Sequence, residues 1–304
     1  MPDLAPALAP VRAQVTVAHV GKFRDTGSMQ VAVVGHTEWI WFGAVDRIPA
    51  AGEIAHSTED WEAPGGGGAV AAAQLAVLAG SCDFFTAIGG DDLGPRAATA
   101  LGARGVDVHA GERADNPTRR AITLVDRAGE RTITTLGHRL APSADDPLPW
   151  DRLDGADAVY VTAGDAAAFH RARRARVMVV TSRVLGELLE AGVVPDALVG
   201  SDRDVAERVD DRSLPWRPPL LVRTQGTSGG RYETSSGASG RYAPVEVPAA
   251  PDADAYGAGD SFAAGLTYAL ARRWTLDQVL AFAARCGAAC ASARGPFAGQ
   301  WNGR

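Results

Sequence analysis

Gly257-Ala258-Gly259-Asp260 puts a carboxylate directly after three small residues and just ahead of Phe262, Leu266, Ala269 and Leu270. The spacing of those apolar residues predicts a helix packed on an apolar surface. The unpaired N–H groups at the start of such a helix, with the positive end of its dipole, hold a phosphate or the charge that develops on one during transfer. Small side chains permit that close approach. A carboxylate here works against anion binding, so its economical role is that of a base, taking the proton from a hydroxyl that attacks the phosphoryl group. The same string also makes an ordinary helix start with aspartate as cap, and these residues alone leave both readings open.

Lys22 is the only lysine in the chain, and no Gly-x-x-x-x-Gly spacing precedes it. Walker-type nucleotidases, protein kinases that need a strand lysine on the phosphates, and Schiff-base enzymes are thereby excluded. Phosphoryl chemistry in this chain has to meet charge with backbone N–H groups, arginine and a divalent metal ion. At 304 residues, 46% of them hydrophobic, the chain can bury a sizeable core as one large α/β domain or as a domain with a smaller appendage. A formal charge of -6 with no basic run argues against a nucleic-acid partner, and no stretch approaches a membrane span. Cys82, Cys286 and Cys290 lack paired metal spacing; Cys286 and Cys290 share one face of an Ala-rich helix and read as buried small hydrophobes, consistent with a reducing cytoplasm. Met1 to Ser28 has no continuous apolar stretch of a secretory signal, so we expect a disordered extension, or translation starting at Met29, outside the fold.

The elements that must position the motif read as an α/β alternation. Gln30 to Val34, ending at Gly35, is a buried first strand. Short β-like pieces follow at Trp39 to Phe42, Val45 to Ile48 and Ile54 to Trp61, broken by Pro49 and Gly52. Gly65 to Gly68 open a helix running from Ala69 to Ala79, and Asp83 to Ile88 leads through Gly89-Gly90-Asp91-Asp92 into a helix from Pro95 to Arg104. Arg120 to Asp126 and Arg131 to Leu136 are joined by Ala128-Gly129, a hairpin signature. Strands at Ala158 to Val161, Val177 to Val180, Ala197 to Val199 and Leu220 to Arg223 then alternate with helical stretches, which predicts a mostly parallel sheet with helices on both faces. Thr275 and Gln278 have capping-box spacing at the start of the last helix. A dinucleotide-binding dehydrogenase is excluded because Val34-Gly35-His36-Thr37-Glu38 lacks the second and third glycines of that turn.

From Val31 to about Gly295 the chain resembles the ribokinase-like, or PfkB, family of carbohydrate kinases. Asp254 and Gly257 to Asp260 are similar to its C-terminal signature, Asp-Thr-x-Gly-Ala-Gly-Asp-x-Phe, with Ala255 and Tyr256 replacing the usual small hydroxylic residues. Ala63 to Ala69 resembles its di-glycine loop, Ile88 to Gly94 its Val-Gly-Asp-Asp-x-x-Gly segment, Asp126 to Thr132 its lid hairpin, and Thr224 to Gly229 its Thr-x-Gly-x-x-Gly nucleotide segment.

The resemblance implies a three-layer α/β/α ribokinase-like fold over residues 29–298, with a small β-rich lid from about 39–61 and 119–137 and a C-terminal tail at 299–304. It implies ATP-dependent transfer to a hydroxyl of a sugar or sugar-like alcohol, with Asp260 as base and Gly257, Ala258 and Gly259 as anion hole. Thr224, Gly226, Thr227 and Gly229 would bind nucleotide, and Gly65, Gly66 and Gly67 would lie beside the acceptor. Asp254 would hold a monovalent cation, potassium. The family's Asn-x-x-Glu motif, which organises magnesium through water, is expected at Ser201 and Asp204, the shorter Asp204 carboxylate replacing the glutamate. Glu38 and Ile40 occupy the positions of the family's sugar-reading Asn and Asp, so ribose itself is disfavoured. Trp39, Trp41 and Phe42 would either stack on a nucleoside-like acceptor or pack lid on lid in a homodimer. A ligand-binding pseudokinase is the remaining reading, suggested by the altered magnesium motif.

Overall fold

The computed structural model describes residues 29–210 and 214–303; the expected extension, Met1 to Ser28, lies outside the described residues. In chain order the elements begin with β1 (Val31–Val34), β2 (Glu38–Ala44), β3 (Glu59–Gly65), α1 (Gly67–Ala79), β4 (Cys82–Gly89), α2 (Leu93–Gly102), β5 (Val106–Arg113), β6 (Arg120–Val125) and β7 (Arg131–Leu136). They continue with β8 (Ala158–Val161), α3 (Ala166–Ala172), β9 (Met178–Thr181), α4 (Leu185–Ala191), β10 (Ala197–Ser201), β11 (Leu220–Thr224), β12 (Gly230–Thr234), β13 (Ser239–Tyr242), α5 (Ala258–Ala271) and α6 (Leu276–Ala291).

Among the described residues, nine strands form the central sheet in the order β13-β12-β11-β10-β9-β8-β1-β4-β5, parallel from β11 to β5 with an antiparallel edge at β12 and β13. Side chains alternate across it. Val31 and Val33 pack with α1, α5 and α6 on one face, whereas Ala32 and Val34 pack with α3 and α4 on the other. This is why β1, β8 and β9 in the middle of the sheet read as unbroken apolar runs, whereas the edge strand β5 carries polar and charged residues. α1 is buried from Gly68 to Ala76, apolar on every side as a helix inside a core must be. The Thr275–Gln278 capping box is formed at the start of α6.

Because the strands are parallel, their carboxyl ends lie along one edge. Strand order reverses at β1, with β8 on one side and β4 on the other, and the loops after β1 and β8 meet there: Thr162 N–H donates to Val34 O at 2.8 Å. A crevice at such a reversal is where open α/β sheets bind ligands.

β2, β3, β6 and β7 form a separate four-stranded sheet in the order β3-β2-β6-β7, closed at Ala128-Gly129 by the expected hairpin. The expected strand pieces at Val45 to Ile48 and Ile54 to Thr58 are not strands. Pro49 and Gly52 turn the chain, Glu53 accepts the Ala50 N–H at 2.9 Å and pairs with Arg47, and Ile54 is left exposed. Nor are residues 299–301 a free tail. Gln300 Nε2 donates to Val70 O at 3.1 Å, the Gln74 amide bonds both main-chain groups of Trp301, and the Trp301 ring lies 4.8 Å from that of Phe282.

α5 and α6 pack closely because Gly265 lets them: a Cβ there would stand 2.6 Å from Cys286 Sγ and 3.1 Å from Ala283 Cα. Gly265→Val is expected to destabilise the fold by about 1–3 kcal/mol, read as a lowered denaturant midpoint. An unchanged midpoint would show that the helices are not in this contact.

Candidate active site

Asp260 sits in the first turn of α5, half-buried, beside the start of α1. A Cβ on Gly67 would fall 2.7 Å from Asp260 Oδ1 and 3.7 Å from His36 Cε1, so only glycine fits between them. Gly257 is left-handed at φ 79°, which turns the chain into the helix, and no side chain caps that end. The Ala258 N–H reaches the Ala255 carbonyl only at 3.4 Å, and a Cβ on Gly259 would meet nothing within 4 Å. The first turn of α5 therefore has no side-chain cap and has room beside Gly259, which suits an anion site.

Burial raises the Asp260 carboxyl to about 7, Glu207 adding to it and Arg131 and Arg183 opposing. A group poised near neutrality takes and returns a proton without a large driving-force cost.

Tyr256 joins this turn to the small sheet. Its hydroxyl accepts the Gly66 N–H at 3.1 Å and donates to Glu38 Oε1 at 3.4 Å. The sequence reading gave Tyr256 no side-chain role, and only the fold brings it to Gly66 and Glu38. Glu38 is buried, and burial pushes its carboxyl up while Arg119 and the Tyr256 hydroxyl oppose. His36 is held neutral, its pKa driven down to about 3 by burial and by Arg139, Arg119 and Arg183.

Ile40 is corrected. It is fully enclosed with Phe42, Val70, Ala121, Val125 and Tyr256, so its methyl groups pack the junction of β2 and α1 instead of facing an open cleft. Trp39 and Trp41 lie on the opposite face of β2, both indoles donating to Glu62, with Arg96 4.3 Å over the Trp39 ring. Phe42 stacks on Trp61 at 4.9 Å. Phe42, on the same face as Glu38, also meets Tyr256 edge-on at 5.3 Å, so of Trp39, Trp41 and Phe42 only Phe42 reaches the residues around Glu38.

The carboxylates after β10 also differ from expectation. Ser201 ends the strand, and its Oγ accepts the Arg203 N–H. Asp204 caps the turn Val205–Glu207 by accepting the Ala206 N–H at 2.9 Å, and it pairs with Arg183. Glu207 pairs with the same guanidinium through Oε1 at 2.7 Å and is the strongest charge acting on Asp260 after burial. Asp204-Val-Ala-Glu207 has the Asn-x-x-Glu spacing three residues later than it was sought, with aspartate in the amide's place.

Thr224 ends β11 at the same sheet edge, its Oγ1 donating to Gly200 O, and Gly226–Ser228 form the turn before β12. Gln225 and Arg231 both bond Asp202, which ties this loop to the one carrying Asp204. Asp254 stands apart from the cleft groups. Its two oxygens accept the Tyr256 and Gly295 N–H groups at 2.8 and 2.7 Å, so it braces the turn before α5 against the end of α6.

Residues 28–301 match the description pfkB family carbohydrate kinase. The chain is 30% identical over 286 residues to the ATP-dependent ribose-1-phosphate kinase of Halopiger xanaduensis, covering 88% of this chain and 93% of that protein. In fold it is similar to the ribokinase of Giardia lamblia, with a TM-score of 0.72 at 18% identity, covering 90% of this chain and 96% of that one. The Arabidopsis thaliana ribokinase complexed with ribose and ATP superposes with a TM-score of 0.67 at 20% identity over 90% and 96% of the two chains. A family match across nearly all the described residues, together with the uncapped first turn of α5, shows that the chain belongs to the pfkB family of carbohydrate kinases.

Proposed function

We propose that the chain transfers the γ-phosphoryl group of ATP to a hydroxyl of a sugar or sugar-like alcohol, with Asp260 as the base. The carrying observation is a carboxyl poised at about 7 beside the uncapped first turn of α5. The relative in Halopiger xanaduensis, named as ATP-dependent, supports the donor.

The acceptor hydroxyl lies against Asp260, which takes its proton as the oxygen attacks phosphorus, and the N–H groups of Ala258 and Gly259 receive the charge on the transferred group. Thr224, Gly226, Thr227 and Gly229 line the nucleotide side. Magnesium fits the pair of carboxylates Glu207 and Asp204, which share Arg183 and would hold the ion through water of its shell. When bound, the ion neutralises charge on the phosphates. Asp254 accepts one N–H on each oxygen, which leaves a lone pair on both for a monovalent cation such as potassium, and no step is routed through that ion.

The sheet of β2, β3, β6 and β7 acts as the lid and carries Arg119 beside β6 and Arg131 on β7 toward the cleft. Trp41 and Ile122 are paired neighbours on its outer face, exposed at 43% and 40%, an apolar patch suited to a homodimer. No described helix is long and apolar enough to cross a membrane, and three buried free thiols suit the cytoplasm.

Asp260→Asn is expected to lower kcat by about 100- to 10,000-fold in an assay of ADP release with magnesium, leaving ATP binding and the melting profile in place. Turnover within about tenfold of the parent would remove Asp260 from the base role.

Since the carboxylate is the active form, kcat/KM is expected to fall as pH drops through about 7. Glu207→Gln removes a negative charge, so Asp260 titrates lower and the acid limb moves to lower pH even as the rate drops. A limb near 4, or one that Glu207→Gln leaves in place, contradicts the assignment.

A further inference from the structure

Three arginines from three different segments act on His36, Arg119 just before β6, Arg139 in the loop after β7 and Arg183 after β9, and the first two act on Glu38 as well. Arg183 is committed to Asp204 and Glu207. The other two are not well satisfied. Arg119, 18% exposed, has Nε 3.5 Å from Glu38 Oε2 and no hydrogen-bond partner there. Arg139, 26% exposed, reaches Glu187 Oε1 only at 3.5 Å, and Glu187 is itself 41% exposed. Glu38 Oε2 and His36 Nδ1 are buried without partners. Donors and acceptors enclosed in this state are costly unless a ligand completes them. The cluster opens onto the catalytic group, since His36 and Asp260 flank Gly67.

This inference rests on the kinase reading above and names its acceptor. We propose that the acceptor is a phosphorylated sugar, its phosphate held between Arg119 and Arg139, one of its hydroxyls donating to Glu38 and another facing Asp260. Each of the two guanidiniums meets its carboxylate, Glu38 or Glu187, only at 3.5 Å, which leaves donors that a tetrahedral dianion accepts from both forks and a neutral sugar does not. Burial holds Arg139 below the usual arginine range; Glu187 opposes this while the charges of Arg119 and Arg183 add to it, and a bound anion relieves the repulsion. The ATP phosphates are a different charge, expected at the α5 turn and the loop after β11, so acceptor and donor effects separate in the kinetics.

The test measures ADP release by the full chain with magnesium and ATP. It compares ribose with ribose 1-phosphate and 5-phosphate, fructose with its 1- and 6-phosphates, and gluconate as a carboxylate arm. At least one phosphorylated member is expected to exceed its neutral partner by about 100-fold in kcat/KM. Arg139→Gln is expected to raise the KM of that acceptor by a similar factor with the KM for ATP unmoved, and Arg139→Lys to recover part of the loss. Equal or better use of the neutral sugars, preference for gluconate, or a rise confined to the KM for ATP would overturn the proposal. If no compound releases ADP, the kinase reading itself fails. The arginine site is then read by calorimetric titration of inorganic phosphate in saturating ADP and magnesium. Binding lost in both Arg139→Gln and Arg119→Gln, each with a normal melting profile, upholds the site; binding that survives them, or none in the parent, refutes it.

Discussion

A carboxyl group kept out of water beside the positive end of a helix is the constraint on which this site depends. At the start of α5 the dipole and the uncapped N–H groups favour negative charge, whereas burial and Glu207 disfavour it on Asp260. Burial prevails, and the group settles at about 7, above the ordinary aspartate range. The surroundings enforce that outcome. Gly67 lets α1 come against the carboxyl, Gly257 supplies the left-handed turn, and Tyr256 ties the turn to Gly66 and Glu38.

Charge in the cleft is handled by arginine throughout. Among the described residues there is no lysine, and each cleft arginine comes from a different loop or strand, so the balance of charge depends on how the small sheet sits over the large one. Arg131 on β7 and Arg183 after β9 both act on Asp260 and on Asp204. Movement of the small sheet would carry Arg131 and Arg119 with it and change the field on Asp260, so that in the proposed role of lid its position would be coupled to protonation as well as to water exclusion.

Much of the architecture was legible because it follows from local rules. Most of the parallel strands are short apolar runs, the exception being β5, whose Asp107, His109, Glu112 and Arg113 hid it; the hairpin has its glycine, the helix starts have their small residues, and Gly257 to Asp260 stand at a helix start as expected. What failed was long-range or a matter of register. Glu207 went unread because the Asn-x-x-Glu spacing was aligned to the end of β10, and nothing local shows that the following turn brings a second carboxylate to Arg183. Ile40 was assigned to the acceptor by counting along the strand, which gives a face but not what covers it; Tyr256 and Val70, remote in sequence, cover it. Trp301 was set aside as tail because nothing local reveals that Gln74 binds its backbone. Arg119, Arg139 and Arg183 each look like surface residues in sequence, and only the crossing of the two sheets brings them to His36.

The direct test of a base tuned by burial is the protonation of Asp260 itself. With carboxyl carbons labelled by 13C, the aspartate resonance missing in Asp260→Asn is assigned and titrated in the folded protein without nucleotide. A midpoint at about 7 is the predicted result. A midpoint near 4, the ordinary aspartate value, would mean that the carboxyl remains solvated and that the site does not hold its base in the way described.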